Sequence, residues 1–302
     1  MEIQWPLIFF TLLSTLAGGL FAGQGILVLM GKGRPIHFPA LVVEVAAIAI
    51  GGFSAFLHLQ HWERIFNGFG QLRSGITHEL VGLAIFAVSI VIFFLVFRRA
   101  KGKEALPKWL GVFALIIGLF VIYVTAASYD MSARPAWHTP LLYVYYYATG
   151  FVLGAAGLWF LSGITKAEDT YVGLAKATAI GGLVSLVAVV VYGFVIANTQ
   201  YSDVGLYFFD PTDSTAPHPD QNAVTASILT GGNALLFWAG SVFLGSVVAG
   251  VLGLFSWLRA KEPVGNPWSL AAIALVSALG GGVFFRVVFY IVGATIWPFF
   301  TQ

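Results

Sequence analysis

The chain has 302 residues, of which 59% are hydrophobic and only 9% are charged, and its mean hydropathy is +0.89. A soluble globular domain carries roughly 25% charged residues, so this composition excludes a water-soluble protein and indicates that lipid surrounds much of the surface. The formal net charge of +2, without a basic cluster, excludes nucleic acid as a partner, and the lack of cysteine excludes disulfides, thiolate zinc sites and thiolate-bound iron–sulfur clusters within the chain.

Eight apolar segments are long enough to cross a bilayer, which takes about 20 mostly apolar residues per helix. In chain order they are 5–30, 40–59, 77–97, 109–129, 141–163, 172–198, 228–258 and 268–297. The alternation of a membrane β-barrel is absent. The sequence therefore predicts an all-α, polytopic membrane bundle of eight transmembrane helices that forms one domain over 1–302. Glu2 stands where a signal peptide carries basic residues, so we expect the first span to be retained.

Basic residues in the connections predict the orientation, because loops rich in Lys and Arg stay in the cytoplasm. The connections after spans one, three, five and seven contain ten of them: Lys32, Arg34, Arg98, Arg99, Lys101, Lys103, Lys108, Lys166, Arg259 and Lys261. The opposite side has three, namely Arg64, Arg73 and Arg134. This asymmetry predicts that both termini lie on the outer, periplasmic side of a prokaryotic inner membrane.

Two outer connections are longer than simple turns. The connection over 60–76 joins spans two and three, and the connection over 199–226 is acidic and carries no Lys or Arg. Its acidic residues are Asp203, Asp210, Asp213 and Asp220. The acidic connection is either a docking surface or lid, or an ordinary solvated loop.

Ionisable residues inside spans are costly and are therefore candidates for function. The predicted topology places His58, Glu79 and Arg286 towards the outer side, with Tyr290 one helical turn beyond Arg286 on the same face. Glu44 and Lys176 fall near the cytoplasmic ends of their spans. There we expect both side chains to extend to the interface, and we assign them no chemistry.

His, Glu, Arg, Asn and Tyr side chains at a similar depth in the membrane could together bind a quinol and accept its protons. A histidine accepts a proton near neutral pH, a carboxylate passes it on, and Arg or Asn holds the other oxygen of the ring. The connection between spans two and three adds Arg64, Asn67 and Arg73 to this set. The alternatives are that His58 is an ordinary interfacial residue, that Glu79 only stabilises a helix start, and that Arg286 only fixes helix packing.

Several motifs resemble the DMSO reductase membrane anchor family of the DmsC type. They are Leu57-His58-Leu59, Arg64-Ile65-Phe66-Asn67, Ser74-Gly75-Ile76-Thr77-His78-Glu79, the opening Gln4-Trp5-Pro6-Leu7 with Ala17-Gly18-Gly19, and Arg286-Val287-Val288-Phe289-Tyr290. The chain departs from the family pattern at Gln60-His61-Trp62, where the family has Gly-x-Pro, and at Phe285, where it usually has Gly.

The resemblance implies a membrane anchor that serves anaerobic respiration and does not itself catalyse reduction of the terminal substrate. Such anchors bind and oxidise menaquinol and hold a four-cluster, ferredoxin-like iron–sulfur subunit, which passes electrons to a molybdopterin catalytic subunit. They carry no haem, iron–sulfur cluster or other metal themselves. By this resemblance His58 and Glu79 are the catalytic residues. The expected quinol-binding set is His58, Arg64, Asn67, Arg73, Glu79, Arg286 and Tyr290.

Two other classes of protein remain open. A haem b cytochrome anchor needs histidine pairs facing each other across helices, and only His58 and His78 are plausible intramembrane ligands. A secondary transporter is less compatible with the sequence, because the polar residues favour one side rather than the midplane. A retinal protein is excluded, since spans seven and eight contain no Lys.

Overall fold

The computed structural model describes residues 3–58, 74–100, 105–201, 220–259 and 267–293, and within these ranges all regular structure is helical. The helices are α1 Trp5–Leu29, α2 Arg34–His58, α3 Gly75–Arg99, α4 Lys108–Ala127, α5 Pro140–Thr165, α6 Glu168–Ala197, α7 Gln221–Thr230, a π-helical segment Leu236–Val248 that continues into α8 Ala249–Leu258, and α9 Pro267–Val292. Eight helices in this part of the chain are long and apolar enough to span a membrane, which confirms the predicted number.

The second span begins earlier than predicted. The sequence suggests a start at residue 40, after Pro35 and Pro39, but α2 begins at Arg34 and runs through both prolines. Pro35 lies in the first turn, where backbone N–H groups have no partner within the helix. Pro39 removes only one backbone hydrogen bond near the end of a long helix. The result is that His37 becomes part of a membrane helix.

The seventh span differs more from its prediction than the second span does. The prediction of one continuous helix over 228–258 is wrong, because α7 ends at Thr230 and a turn around Gly231–Gly232 precedes the π-helical segment. The last part of the predicted acidic connection is also helical, since the Asp220 carboxylate caps α7 by accepting hydrogen bonds from the Asn222 and Ala223 N–H groups. Residues 202–219 lie outside the described ranges.

Helix α1 lies in the middle of the first half of the bundle, packed against α2, α4 and α5. Its glycines permit this close packing. A Cβ atom at Gly19 would overlap the Gly150 carbonyl of α5, and one at Gly25 would overlap the Gly111 carbonyl of α4. Small residues allow such contact where lipid provides no hydrophobic drive for helices to associate. Gly19 and Gly25 therefore serve close helix packing.

The bundle has two chemically distinct ends. At the basic end α1 meets α2, and here Gly33 N donates to Asp169 Oδ2 at 2.9 Å while Arg34 Nη2 donates to the Ala100 carbonyl at 2.6 Å. At the opposite, tyrosine-rich end, buried phenols gather close to the end of α9: Tyr129, Tyr201 and Tyr290. The candidate site lies at the tyrosine-rich end.

Candidate functional site

Glu79 lies one turn inside α3, beside the end of α4. Its Oε1 accepts a hydrogen bond from Ser128 Oγ at 2.6 Å, and Ser128 Oγ also lies 3.0 Å from the Thr125 carbonyl. The start of α3 comes close to α4 because Gly75 carries no side chain, and a Cβ there would lie 3.1 Å from the Ser128 Cα. Glu79 is thus held by a neutral hydroxyl through one of its two carboxyl oxygens.

Two tyrosines lie near this carboxyl group. The hydroxyl of Tyr290 on α9 donates to the hydroxyl of Tyr129 at 3.1 Å, and both side chains are almost completely buried. Burial raises the pKa of Tyr129 well above its usual value, with smaller contributions in the same direction from Tyr290 and Glu79. Tyr129 is therefore a protonated phenol near Glu79, able to donate one hydrogen bond and accept another.

The connection between α4 and α5 covers this cluster. Trp137 Nε1 donates to the Phe289 carbonyl at 2.9 Å, and its ring stacks on Phe289 with centroids 4.3 Å apart. Arg134 Nη1 donates to the Gly293 carbonyl at 2.7 Å, and its guanidinium carbon lies 4.2 Å from the centroid of the Trp137 ring. Partial burial lowers the pKa of Arg134. These contacts fix an aromatic cover over the end of α9.

A second link holds the other side of this end. Tyr201 donates its hydroxyl hydrogen to the Val292 carbonyl at 2.9 Å, and burial raises its pKa to about 12. Gln221 Nε2 donates to the same carbonyl at 3.2 Å. Tyr201 and Gln221 are therefore both anchored beside the tyrosine cluster.

Arg286 has a different environment from the one the sequence predicts. Its N–H groups donate to Thr11 Oγ1 at 2.8 Å, Thr15 Oγ1 at 3.1 Å, the Tyr145 hydroxyl at 3.2 Å, the Gly282 carbonyl at 3.1 Å and the Thr11 carbonyl at 3.3 Å. A guanidinium has five N–H groups, so this set uses all of them. The partners belong to α1, α5 and α9. These contacts favour the alternative in which Arg286 fixes helix packing, and its contact with a quinol stays a prediction.

The other predicted residues divide into two groups. Glu79 and Tyr290 come together at the tyrosine-rich end, as the sequence predicts. His58 is the last residue of α2, and its side chain is outside what the structure describes. The remaining predicted residues, Arg64, Asn67 and Arg73, together with the unusual Gln60-His61-Trp62, also lie outside the described ranges. Their part in the site stays a prediction.

The expectation that Glu44 extends to the interface is wrong. The side chain is completely buried, and Gln24 Nε2 donates to its Oε1 at 2.6 Å. Glu44 is buried because it lies on the face of α2 that packs against α1, and not on the face towards lipid. Lys176 does fit the expectation, because it is exposed and its Nζ lies 4.9 Å from the centroid of the Trp257 ring.

An apolar groove of about 420 Å³ runs between α1, α4, α5 and α6. It extends from Lys32 and Asp169 at the basic end to Leu119 and Tyr147. Among the residues predicted for quinol binding, the three with described side chains, Glu79, Arg286 and Tyr290, do not line it. The groove is thus a different place from the cluster around Glu79.

Several residues of the cluster were not predicted. Ser128 and Tyr129 fall at the end of the predicted fourth span. Arg134 and Trp137 fall in the connection after it, where only Arg134 contributed to the predicted orientation. The signal was present in the composition of this segment, since Tyr, Asp, Arg, Trp and His follow one another within residues 129–138. Aromatic residues with polar groups are typical of a membrane interface, so this segment by itself did not indicate a site.

The histidines with described side chains occupy both ends. His37 is buried at the basic end beside Gln24, and His138 is an exposed residue at the other end, with Nδ1 2.6 Å from Asp130 Oδ1. His78 is exposed at the start of α3. These three do not form a pair across neighbouring helices, so a haem site depends on His58 or on histidines outside the described ranges.

The long apolar helices, glycine contacts and interfacial aromatic residues define an integral membrane bundle. Residues 1–292 match the family described as "DMSO reductase anchor subunit (DmsC)". The chain therefore belongs to the DMSO reductase anchor subunit family, as its motifs suggest. It is a multi-span membrane protein of a respiratory anchor family.

One curated relative supports this assignment. The chain is 25% identical over 160 residues to the "Anaerobic dimethyl sulfoxide reductase chain YnfH" of Escherichia coli (strain K12). The match covers 50% of this chain and 55% of that protein, so the chain spans about half the length of the curated relative it matches.

Proposed function

We propose that this anchor subunit binds menaquinol at the tyrosine-rich end and oxidises it there for a DMSO reductase type complex. The observation that carries the proposal is the hydrogen bond between Glu79 and Ser128, next to the Tyr129–Tyr290 pair and beneath an aromatic cover. A carboxyl group and a pair of phenols in apolar surroundings are the polar groups that a two-hydroxyl aromatic ring can use.

The residues of the chain would act on the protons. A bound quinol supplies two electrons and two protons when it is oxidised. Glu79 Oε2 can accept a hydroxyl proton while Ser128 keeps the carboxyl group in place through Oε1. His58, at the end of α2, is the proposed partner for the second proton. The Tyr129–Tyr290 pair orients the ring by hydrogen bonding, because both phenols stay protonated at neutral pH.

Electrons would leave through partner subunits. In this proposal a four-cluster iron–sulfur subunit docks at the tyrosine-rich end and passes electrons to a molybdopterin catalytic subunit. The anchored acidic connection, with Tyr201 and Gln221 tied to Val292, is a candidate part of the docking surface. The excess of basic residues at the other end supports a cytoplasmic position for that end, with the proposed site on the periplasmic side of the inner membrane.

Membranes that contain the complete complex test the proposal. We expect reduced menaquinone to support dimethyl sulfoxide reduction only when this chain is present. Reduction driven by a soluble dye, which delivers electrons directly to the peripheral subunits, should persist without it. Quinol-driven reduction that is unchanged without the chain would contradict the proposal, and a Soret band in the purified anchor would instead favour the haem b alternative.

A further inference from the structure

A buried polar cluster links α1 and α2 in the half of the bundle nearest the basic end. It comprises Gln24, His37 and Glu44, whose exposed fractions are 0%, 1% and 0%. Gln24 Nε2 donates to Glu44 Oε1 at 2.6 Å, and Gln24 Oε1 lies 3.1 Å from His37 Nδ1. The ring of His37 also lies near the backbone of Lys32, just beyond the end of α1. The result is a continuous polar chain from Glu44 to the basic end.

Among the described residues, no basic side chain forms a hydrogen bond or an ion pair with Glu44 to balance a negative charge. Helix α1 contains no Asp, Glu, Lys, Arg or His, and α5 contains none either. Helix α3 contains none over 80–97, where it packs its phenylalanines against α1 and α2. On α2 itself, Arg34 precedes Glu44 by ten residues, or about 15 Å along the helix.

The groups at the basic end have other contacts. The Arg34 guanidinium donates to the Ala100 carbonyl, although its charge is close enough to act on His37. From α6, Asp169 accepts from Gly33 N and also lies near His37. Neither Arg34 nor Asp169 forms a hydrogen bond with Glu44. The neighbours of Glu44 are therefore one neutral amide and apolar side chains.

The second carboxyl oxygen of Glu44, Oε2, indicates the protonation state of the side chain. Oε2 is buried and has no hydrogen-bond partner among the described residues. An ionised carboxylate there would combine an unpaired charge with an unsatisfied oxygen, which is costly inside a membrane. A neutral carboxylic acid with its hydrogen on Oε2 avoids the charge and keeps the hydrogen bond from Gln24 to Oε1.

We propose that Glu44 is a proton-binding site of the chain, and that Gln24 and His37 connect it to water at the basic end. His37 and Glu44 lie seven residues apart and so share one face of α2. Imidazole can accept a hydrogen on one nitrogen and release one from the other. A half-turn of the Gln24 amide exchanges its donor and acceptor ends. Glu44 donates to Gln24 in this orientation when its hydrogen is on Oε1, the oxygen that faces the amide. A proton passes along the chain when Gln24 Oε1 takes the hydrogen of Glu44 while Gln24 Nε2 gives one of its hydrogens to His37 Nδ1, so the amide gains one proton and loses one.

This site is independent of the proposed quinol site. None of its residues contributes to the cluster of Glu79, Ser128, Tyr129 and Tyr290, which lies at the other end of the bundle. The assignment holds whether or not the tyrosine-rich end oxidises quinol, and its test requires no turnover.

Infrared spectroscopy of the purified complex in membranes tests the proposal. At a pH of about 8, ordinary carboxyl groups are ionised. We expect the wild type to show a protonated-carboxyl C=O band that shifts to lower frequency in D₂O. Glu44→Gln should remove this band and still assemble, because glutamine has nearly the shape of a neutral glutamic acid. Glu168→Gln, which changes an exposed carboxyl group at the start of α6, is the matched control and should leave the band unchanged.

The proposed proton path from Glu44 through His37 is tested separately, by the rate of hydrogen exchange at Glu44. In His37→Phe the band should remain, while its shift after transfer to D₂O should slow by about tenfold or more, since the histidine is a proton relay in this proposal. The absence of a Glu44-dependent band would show that the carboxyl group is ionised and would overturn the assignment. Exchange at the wild-type rate in His37→Phe would overturn the connection through His37. Should Glu44→Gln not assemble, Glu44→Asp would shift the band instead of removing it, and an unshifted band would contradict the assignment.

Discussion

Glu79→Gln should lower menaquinol-driven turnover of the complex by about 10² to 10⁴-fold, the usual contribution of a general base. Glutamine keeps the size of the side chain and still accepts a hydrogen bond from Ser128, but it cannot take a proton. The measurement is the initial rate of dimethyl sulfoxide reduction by membranes supplied with reduced menaquinone analogue. Dye-driven reduction in the same membranes shows how much active peripheral subunit is present, and an immunoblot of the chain shows how much anchor is present.

Three further variants sharpen this test. His58→Ala should give a loss of similar size if that side chain accepts the second proton. Ser128→Ala should give a smaller loss, because it frees Glu79 without removing it. Glu168→Gln, an exposed carboxyl group far from the cluster, should retain full activity. Wild-type quinol turnover in both Glu79→Gln and His58→Ala would refute the assignment of these two residues.

Arg286→Ala should destabilise the folded chain by about 2–5 kcal/mol, as expected when a large buried side chain is truncated. The loss would leave the Tyr145 hydroxyl without the guanidinium and would open a space between α1, α5 and α9. The melting temperature of the purified complex is the direct measurement. Arg98→Ala, which removes an exposed arginine at the basic end, is the matched control and should melt close to the wild type.

Arg286→Lys separates a packing role from quinol contact. Lysine keeps the charge but cannot reproduce five directed hydrogen bonds. We therefore expect a lower melting temperature together with an unchanged KM for quinol. A wild-type melting temperature with a raised KM would contradict the packing assignment and restore Arg286 to the quinol site.

Periodicity and composition predicted the helical class and the number of spans, because each span must bury about 20 apolar residues whatever its tertiary contacts. They did not predict the break near Gly231 and Gly232. A glycine pair inside an apolar segment is compatible both with close helix packing and with a turn. At Gly19 it gives packing against Gly150, and at Gly231 it gives a turn. Only the neighbouring helices distinguish the two outcomes.

The candidate site was predicted in part. Depth along a helix follows from residue count, so Glu79 and Tyr290 were expected at one end. The direction of a side chain around the helix axis depends on packing. For this reason the contacts of Arg286 with Thr11 and Thr15 could not be predicted from its depth. Glu44 was likewise placed at the interface although it faces Gln24.

Photolabelling with a menaquinone analogue that carries a light-activated group on its ring tests the central claim most directly. After irradiation of the complex and peptide mass spectrometry, we expect the label on residues 74–79 or 128–137, and excess menaquinol should prevent it. Label confined to residues 22–30 and 169–177, which border the apolar groove, would contradict a quinol site at the tyrosine-rich end.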